Sequence, residues 1–158
     1  MIGRRWRIKR DGSALRLNLA AEERDLLRSL LSQLRTVLTQ DEDPADDRVR
    51  RLFPTAYPDD PEHDAEYQRF MREELVASHL AAIERFDATL EATRIDEHEA
   101  VSWAQALNSV RLVLGTLLDV SEDMDLDDVA ADDPAYGSFV LYDYLSGLLD
   151  ELIRALSG

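Results

Sequence analysis

Asn108 and Arg111 form a polar pair in the largely apolar stretch Trp103–Leu118, WAQALNSVRLVLGTLL. A spacing of three puts both on one face of a helix. Arg111 sits between Val110 and Leu112, where a guanidinium needs a partner if it is buried. An acid on the last helix, with Asp143 foremost, would complete a buried network, and Tyr142 or Tyr144 would stand nearby. Two chemistries fit such a group. One is an anion pocket; the other is a buried pair that fixes which helices meet. The residue types favour the second, because structural networks also hold charges.

Other combinations that do chemistry are incomplete. His63 lies among Asp59, Asp60, Glu62 and Asp64, and His98 among Asp96, Glu97 and Glu99. Carboxylates beside His can hold zinc, but each group also opens a helix, where acids are expected. Asp123, Asp125 and Asp127 begin like a calcium loop, yet its sixth position is Asp128 rather than Gly and its twelfth is Pro134 rather than Glu. No H-E-x-x-H, G-x-G-x-x-G, Walker or G-x-S-x-G pattern occurs. With no cysteine, disulfides, thiolate metal sites and cysteine nucleophiles are excluded from these 158 residues. The chain therefore reads as non-enzymatic, with no cofactor and no dedicated metal; a metal-binding protein or an enzyme of unrecognised type is the last alternative.

Apolar spacing defines the elements that would position these residues. Trp103, Leu107, Val110, Leu114 and Leu117 make the stripe of a buried central helix. Beside it run Ala104, Asn108, Arg111, Gly115 and Leu118. Gly115 costs about 1 kcal/mol relative to Ala inside a helix, which predicts a close helix crossing there. Asp96 with Glu99 reads as a capping box at its start. Residues 5–19 read as a β-hairpin turning at Asp11-Gly12, with Trp6, Ile8, Leu15, Leu17 and Leu19 facing inward and a cationic face outward. A first helix is expected over Ala21–Thr39 and a short one over 44–52, capped by Asp43-Pro44. Pro61–Leu90 is helical with a phase slip near Glu73-Glu74, predicting a kink or two abutting helices. An acidic loop, 121–133, precedes a last helix over Pro134–Leu156. The expected fold is mainly α: one domain, 1–158, in which a basic β-hairpin (1–19) packs on an irregular bundle of about five helices (20–158).

Charge is unevenly spread. Net charge is −15. Residues 1–20 hold six basic residues and one acid, so they carry +5 and the remainder −20. A body that acidic repels nucleic acid over most of its surface. Arg4, Arg5, Arg7, Lys9 and Arg10 are the candidate partner-binding residues, although the residue types favour protection of an edge strand as the reading of the hairpin's charges. Their expected partner is another protein, with nucleic acid as the alternative and self-association compatible with either. No apolar run is long enough to span a bilayer, and no apolar signal core follows the basic start, so a cytoplasmic protein is expected.

The signature W-x-x-A-L-N-x-x-R-L-x-L-G-T, at Trp103, Ala106, Leu107, Asn108, Arg111, Leu112, Leu114, Gly115 and Thr116, resembles an actinobacterial domain family of unknown function. The RLFP-x-AY-x-DDPE segment from Arg51 to Glu62 is similar to it too, as are the basic hairpin around Trp6 and Tyr142-Asp143-Tyr144-Leu145. That family is associated with the oxidative-stress transcriptional regulator AosR, acting with an alternative sigma factor, and with genes beside the Clp protease adaptor. The resemblance implies a cytoplasmic regulatory protein that meets transcription machinery. A disulfide-based redox switch attributed to the family cannot operate in these cysteine-free residues.

Overall fold

A computed structural model describes residues 6–40, 55–118 and 130–158. Its elements are β1 (Ile8–Asp11), β2 (Ala14–Leu17), α1 (Ala21–Gln40), α2 (Pro61–Thr89), β3 (Arg94–Asp96), α3 (Glu97–Leu118) and α4 (Tyr136–Ser157). The described residues thus form four helices rather than about five. The short helix expected over 44–52 lies outside them, as do Arg4, Arg5 and the Asp123–Asp127 loop.

The hairpin turns at Gly12, whose φ of 66° suits a residue without a Cβ. It is not a lone hairpin. Ile95 pairs with Leu15, so β3 joins β2 and the order is β1-β2-β3, antiparallel throughout. The third strand gives β2 two hydrogen-bonded neighbours, which a two-stranded ribbon lacks. Ile8, Leu15, Leu17 and Ile95 turn inward and are buried.

The inner face of the sheet joins one core with the helices. Trp103 is fully buried against Phe86, ring centroids 4.3 Å apart, and its Nε1 donates to Thr89 Oγ1 at 2.7 Å. Leu27, Leu31, Leu34 and Leu38 of α1 and Leu145, Leu149 and Leu152 of α4, spaced three and four apart, close the cluster. Gly115 is buried within α3. Reciprocal bonds, Asp96 N–H to Glu99 Oε1 and Glu99 N–H to Asp96 Oδ1, form the expected capping box.

Two expectations fail. α2 runs unbroken from Pro61 to Thr89, with no interruption at Glu73-Glu74. The phase slip arises because its first half packs little: its buried residues are Ala82, Ile83 and Phe86, and Phe70 is 82% exposed. Asp60 does cap that helix, accepting from the His63 N–H. Asp133-Pro134, however, does not open α4. Asp133 Oδ1 accepts from the Ala135 N–H in a turn, and the helix begins at Tyr136.

Candidate functional site

The hairpin and α4 meet through a carboxylate. Glu151 Oε1 accepts from the backbone N–H of Arg7 at 2.7 Å and of Ile8 at 3.0 Å. In a regular strand successive N–H groups point to opposite sides. One oxygen collecting both therefore breaks the alternation ahead of Ile8. Ile8 stays in the core, 4% exposed, but Trp6 turns out and is 37% exposed. This corrects the expected burial of Trp6.

Arg7, half-buried beside that bend, is bonded within the molecule rather than free on an outward cationic face. Its Nε donates to Glu23 Oε1, and its guanidinium stands 5.5 Å from the Tyr144 ring centroid. Tyr144 OH donates to the same Glu23 oxygen at 3.1 Å, while Glu23 Oε2 accepts from the Ala20 N–H at 2.8 Å. Burial pushes the Glu23 carboxyl up, but the Ala20 N–H and Arg7 outweigh it and hold the group below the usual carboxylate range. Glu23 in turn keeps Arg7 above its ordinary value. Burial first, then the Glu23 charge, pushes the Tyr144 phenol far above its ordinary value. The result is a fixed Arg7–Glu23–Tyr144 wall.

Arg10 is likewise committed inside the molecule. Its Nε donates to the Ala155 carbonyl at 2.9 Å and its Nη2 to the Leu156 carbonyl at 3.0 Å, capping the C-terminus of α4, and Nη2 also meets Glu97 at 2.7 Å. Arg24 of α1 does the same for α2, whose last turn holds no basic residue: its Nε donates to the Leu90 carbonyl at 2.9 Å. Of the described expected partner-binding cations, Lys9 alone stands exposed, its Nζ 5.8 Å from the Trp6 ring.

Beside this wall a cleft of about 470 Å³ opens between Trp6 and Arg7 on one side and Asp143, Gly147, Asp150 and Arg154 of α4 on the other. A Cβ at Gly147 would meet nothing within 4 Å. Successive α4 residues point about 100° apart, which separates the three residues 142–144. Tyr144 belongs to the Arg7 wall, Asp143 is exposed on the cleft, and Tyr142 faces Arg111.

The expected Arg111–Asp143 pair is therefore absent. Arg111 Nη2 donates to Asn108 Oδ1 at 2.9 Å and Nη1 to Tyr142 OH at 3.1 Å, with the guanidinium 5.8 Å from the Tyr142 ring centroid. Its Nε is buried without a hydrogen-bond partner. Trp103 is core, and the Arg111–Tyr142 bond ties α3 to α4. The nearest approach to enzyme chemistry is Ser109 with His79 Nδ1 at 3.1 Å. Ser109 is 3% exposed and its hydroxyl donates back to the Gln105 carbonyl at 2.9 Å, the pattern of a structural serine. Among the described residues no group of three or more His, Asp or Glu is placed to hold a metal, and no helix is long and apolar enough to cross a membrane.

Sequence reasoning missed Glu151 and the bonds that Glu23 makes. Glu151 meets partners more than 140 residues away and leaves no local signal. Glu23 had one, its position three residues after Ala20 at the start of α1. No curated protein and no solved structure matches the sequence. A family model described as a domain of unknown function, DUF2017, matches residues 3–156, so the chain belongs to that family.

Proposed function

We propose that this protein is a non-enzymatic regulatory protein that acts by binding another protein through the surface around its N-terminal sheet. The observation that carries this reading is Trp6. A large aromatic residue is held out of the core by the fold's own bonds, at the rim of a cleft with a preorganised wall. Exposed Trp set among Arg and Tyr is the composition of an interface hot spot. The charge asymmetry supports it, because a basic end on an acidic body orients a charged partner and speeds encounter at low salt.

The resemblance to the family associated with an oxidative-stress transcriptional regulator supplies the setting: a cytoplasmic partner in the transcription machinery, of which a sigma factor is the leading candidate. Direct nucleic-acid binding is the second reading. It is weakened because Arg7 and Arg10, two cations it would use, are bonded within the molecule.

The experiment is affinity capture from a native lysate with wild type and Trp6→Ala, then binding kinetics with the recombinant partner. A partner retained by wild type, released by added salt and bound about tenfold more weakly by Trp6→Ala supports the reading. Equal recovery on both proteins, or recovery lost on nuclease treatment, refutes it.

A further inference from the structure

The strand register lines up three cations. Lys9 lies opposite Arg16, and Arg16 lies opposite Arg94. Opposed residues on neighbouring strands share a face. All three are exposed, whereas the alternate positions Leu15, Leu17 and Ile95 are buried on the helices. Like charges directly opposite one another destabilise a strand pair, so the sheet carries this row against its own stability. Compensation among the described residues is partial. Arg94 Nη1 donates to Asp11 Oδ2 at 2.7 Å, and Lys9 stands by Trp6, but Arg16 pairs with no described acid.

We propose that this row docks an acidic helix of the partner protein, laid across the strands with carboxylates one turn apart against Lys9, Arg16 and Arg94. The proposal rests on the protein-binding reading above and names the partner's chemistry.

Three facts select this occupant. First, charge complementarity calls for an anion on a row of three cations. Second, the spacing suits a helix. Neighbouring strands lie about 4.8 Å apart, so the row spans about 10 Å. Helical carboxylates at i, i+3 or i+4, and i+7 span about 10.5 Å. Three carboxylates on one face of an extended segment span about 13 Å and fall out of step. Third, the strand edges are closed to an added strand. Glu151 takes the Arg7 and Ile8 N–H groups, and β3 is three residues long with its Asp96 N–H on Glu99. Recognition therefore falls to side chains on the face, with Trp6 at one end as an apolar contact. A long phosphate array would also meet the acidic body.

The test uses the full chain and two synthetic helical peptides of identical composition. One aligns Glu at i, i+4, i+7 and i+11; the other spreads the same residues around the helix. Binding is read by calorimetry and by Trp6 emission, the second tryptophan, Trp103, being fully buried. The aligned peptide should bind about tenfold tighter, and high salt should remove the advantage. The variant Lys9→Gln/Arg16→Gln/Arg94→Gln should keep the wild-type circular dichroism spectrum and bind both peptides equally weakly. A control independent of that variant's folding replaces the aligned Glu with Lys, and this peptide should not bind wild type. Equal affinity of wild type for both Glu peptides overturns the proposal, as does wild-type behaviour of the folded triple variant. Tighter binding of a single-stranded oligonucleotide than of the aligned peptide overturns it in favour of nucleic acid. A triple variant that still binds the partner recovered through Trp6 defeats the row alone; equal recovery on wild type and Trp6→Ala defeats the protein-binding reading itself.

Discussion

Glu151→Ala should be among the most damaging single changes outside the core. The Glu151 carboxylate receives two backbone N–H groups, at 2.7 and 3.0 Å, in a part-buried setting. A hydrogen bond to a charged group contributes about 1.5–3 kcal/mol. The site borders an open cleft, so water replaces part of what is lost, and the expected cost is about 2–4 kcal/mol for the pair. That is a large share of a typical domain stability of about 5–15 kcal/mol. At about 2–4 °C per kcal/mol for a chain of this length, the melting temperature should fall by about 4–16 °C. Glu151→Gln keeps an acceptor oxygen and loses the charge, so it should cost about 1 kcal/mol. Urea unfolding followed by circular dichroism measures both variants, and hydrogen exchange at the Arg7 and Ile8 amides reads the local event. An Ala variant within about 0.5 kcal/mol of wild type, with those amides still protected, would refute the claim that this carboxylate holds β1 to α4.

Three further changes probe the rest of the molecule. Gly147→Ala should stabilise by about 0.5–1 kcal/mol in urea unfolding, because the position is exposed, helical and free of neighbours within 4 Å of a Cβ. The Arg7–Glu23–Tyr144 wall should show in the pH dependence of stability. Glu23 has a depressed folded pKa, so its contribution is present above the unfolded value of about 4.3 and is lost as pH falls below it; Glu23→Gln should flatten that acid limb. Tyr144 has a raised one, so its contribution holds below about pH 10 and is lost as pH rises; Tyr144→Phe should flatten the alkaline limb, with urea midpoints against pH as the measurement for both. Double-mutant cycles should give Arg111 and Tyr142 a coupling of about 0.5–1.5 kcal/mol and Arg111 and Asp143 none within error.

What the sequence by itself determined is whatever depends on neighbours along the chain. The leucine stripes of α1 and α4, the Trp103–Leu107–Val110 seam, the Asp11-Gly12 turn and the Asp96/Glu99 capping box were all legible, because periodicity and capping act over three or four residues. The hairpin's charges were legible as a composition, but their destinations were not. Arg7 is bound by Glu23 and Tyr144, and Arg10 by carbonyls at the end of α4, across 16 to 146 residues of sequence. The outward turn of Trp6 depends on Glu151 collecting two successive N–H groups, which no local pattern encodes. The cation row needed the pairing of β3, a three-residue strand, with β2 to bring Arg94 beside Arg16. The separation of Tyr142, Asp143 and Tyr144 into three surroundings follows from helical geometry once the faces of α4 have partners. Local chemistry chose the elements; tertiary packing chose which charges were bonded within the molecule and which were left exposed, because a charge is satisfied by whatever folding brings within a few ångströms of it.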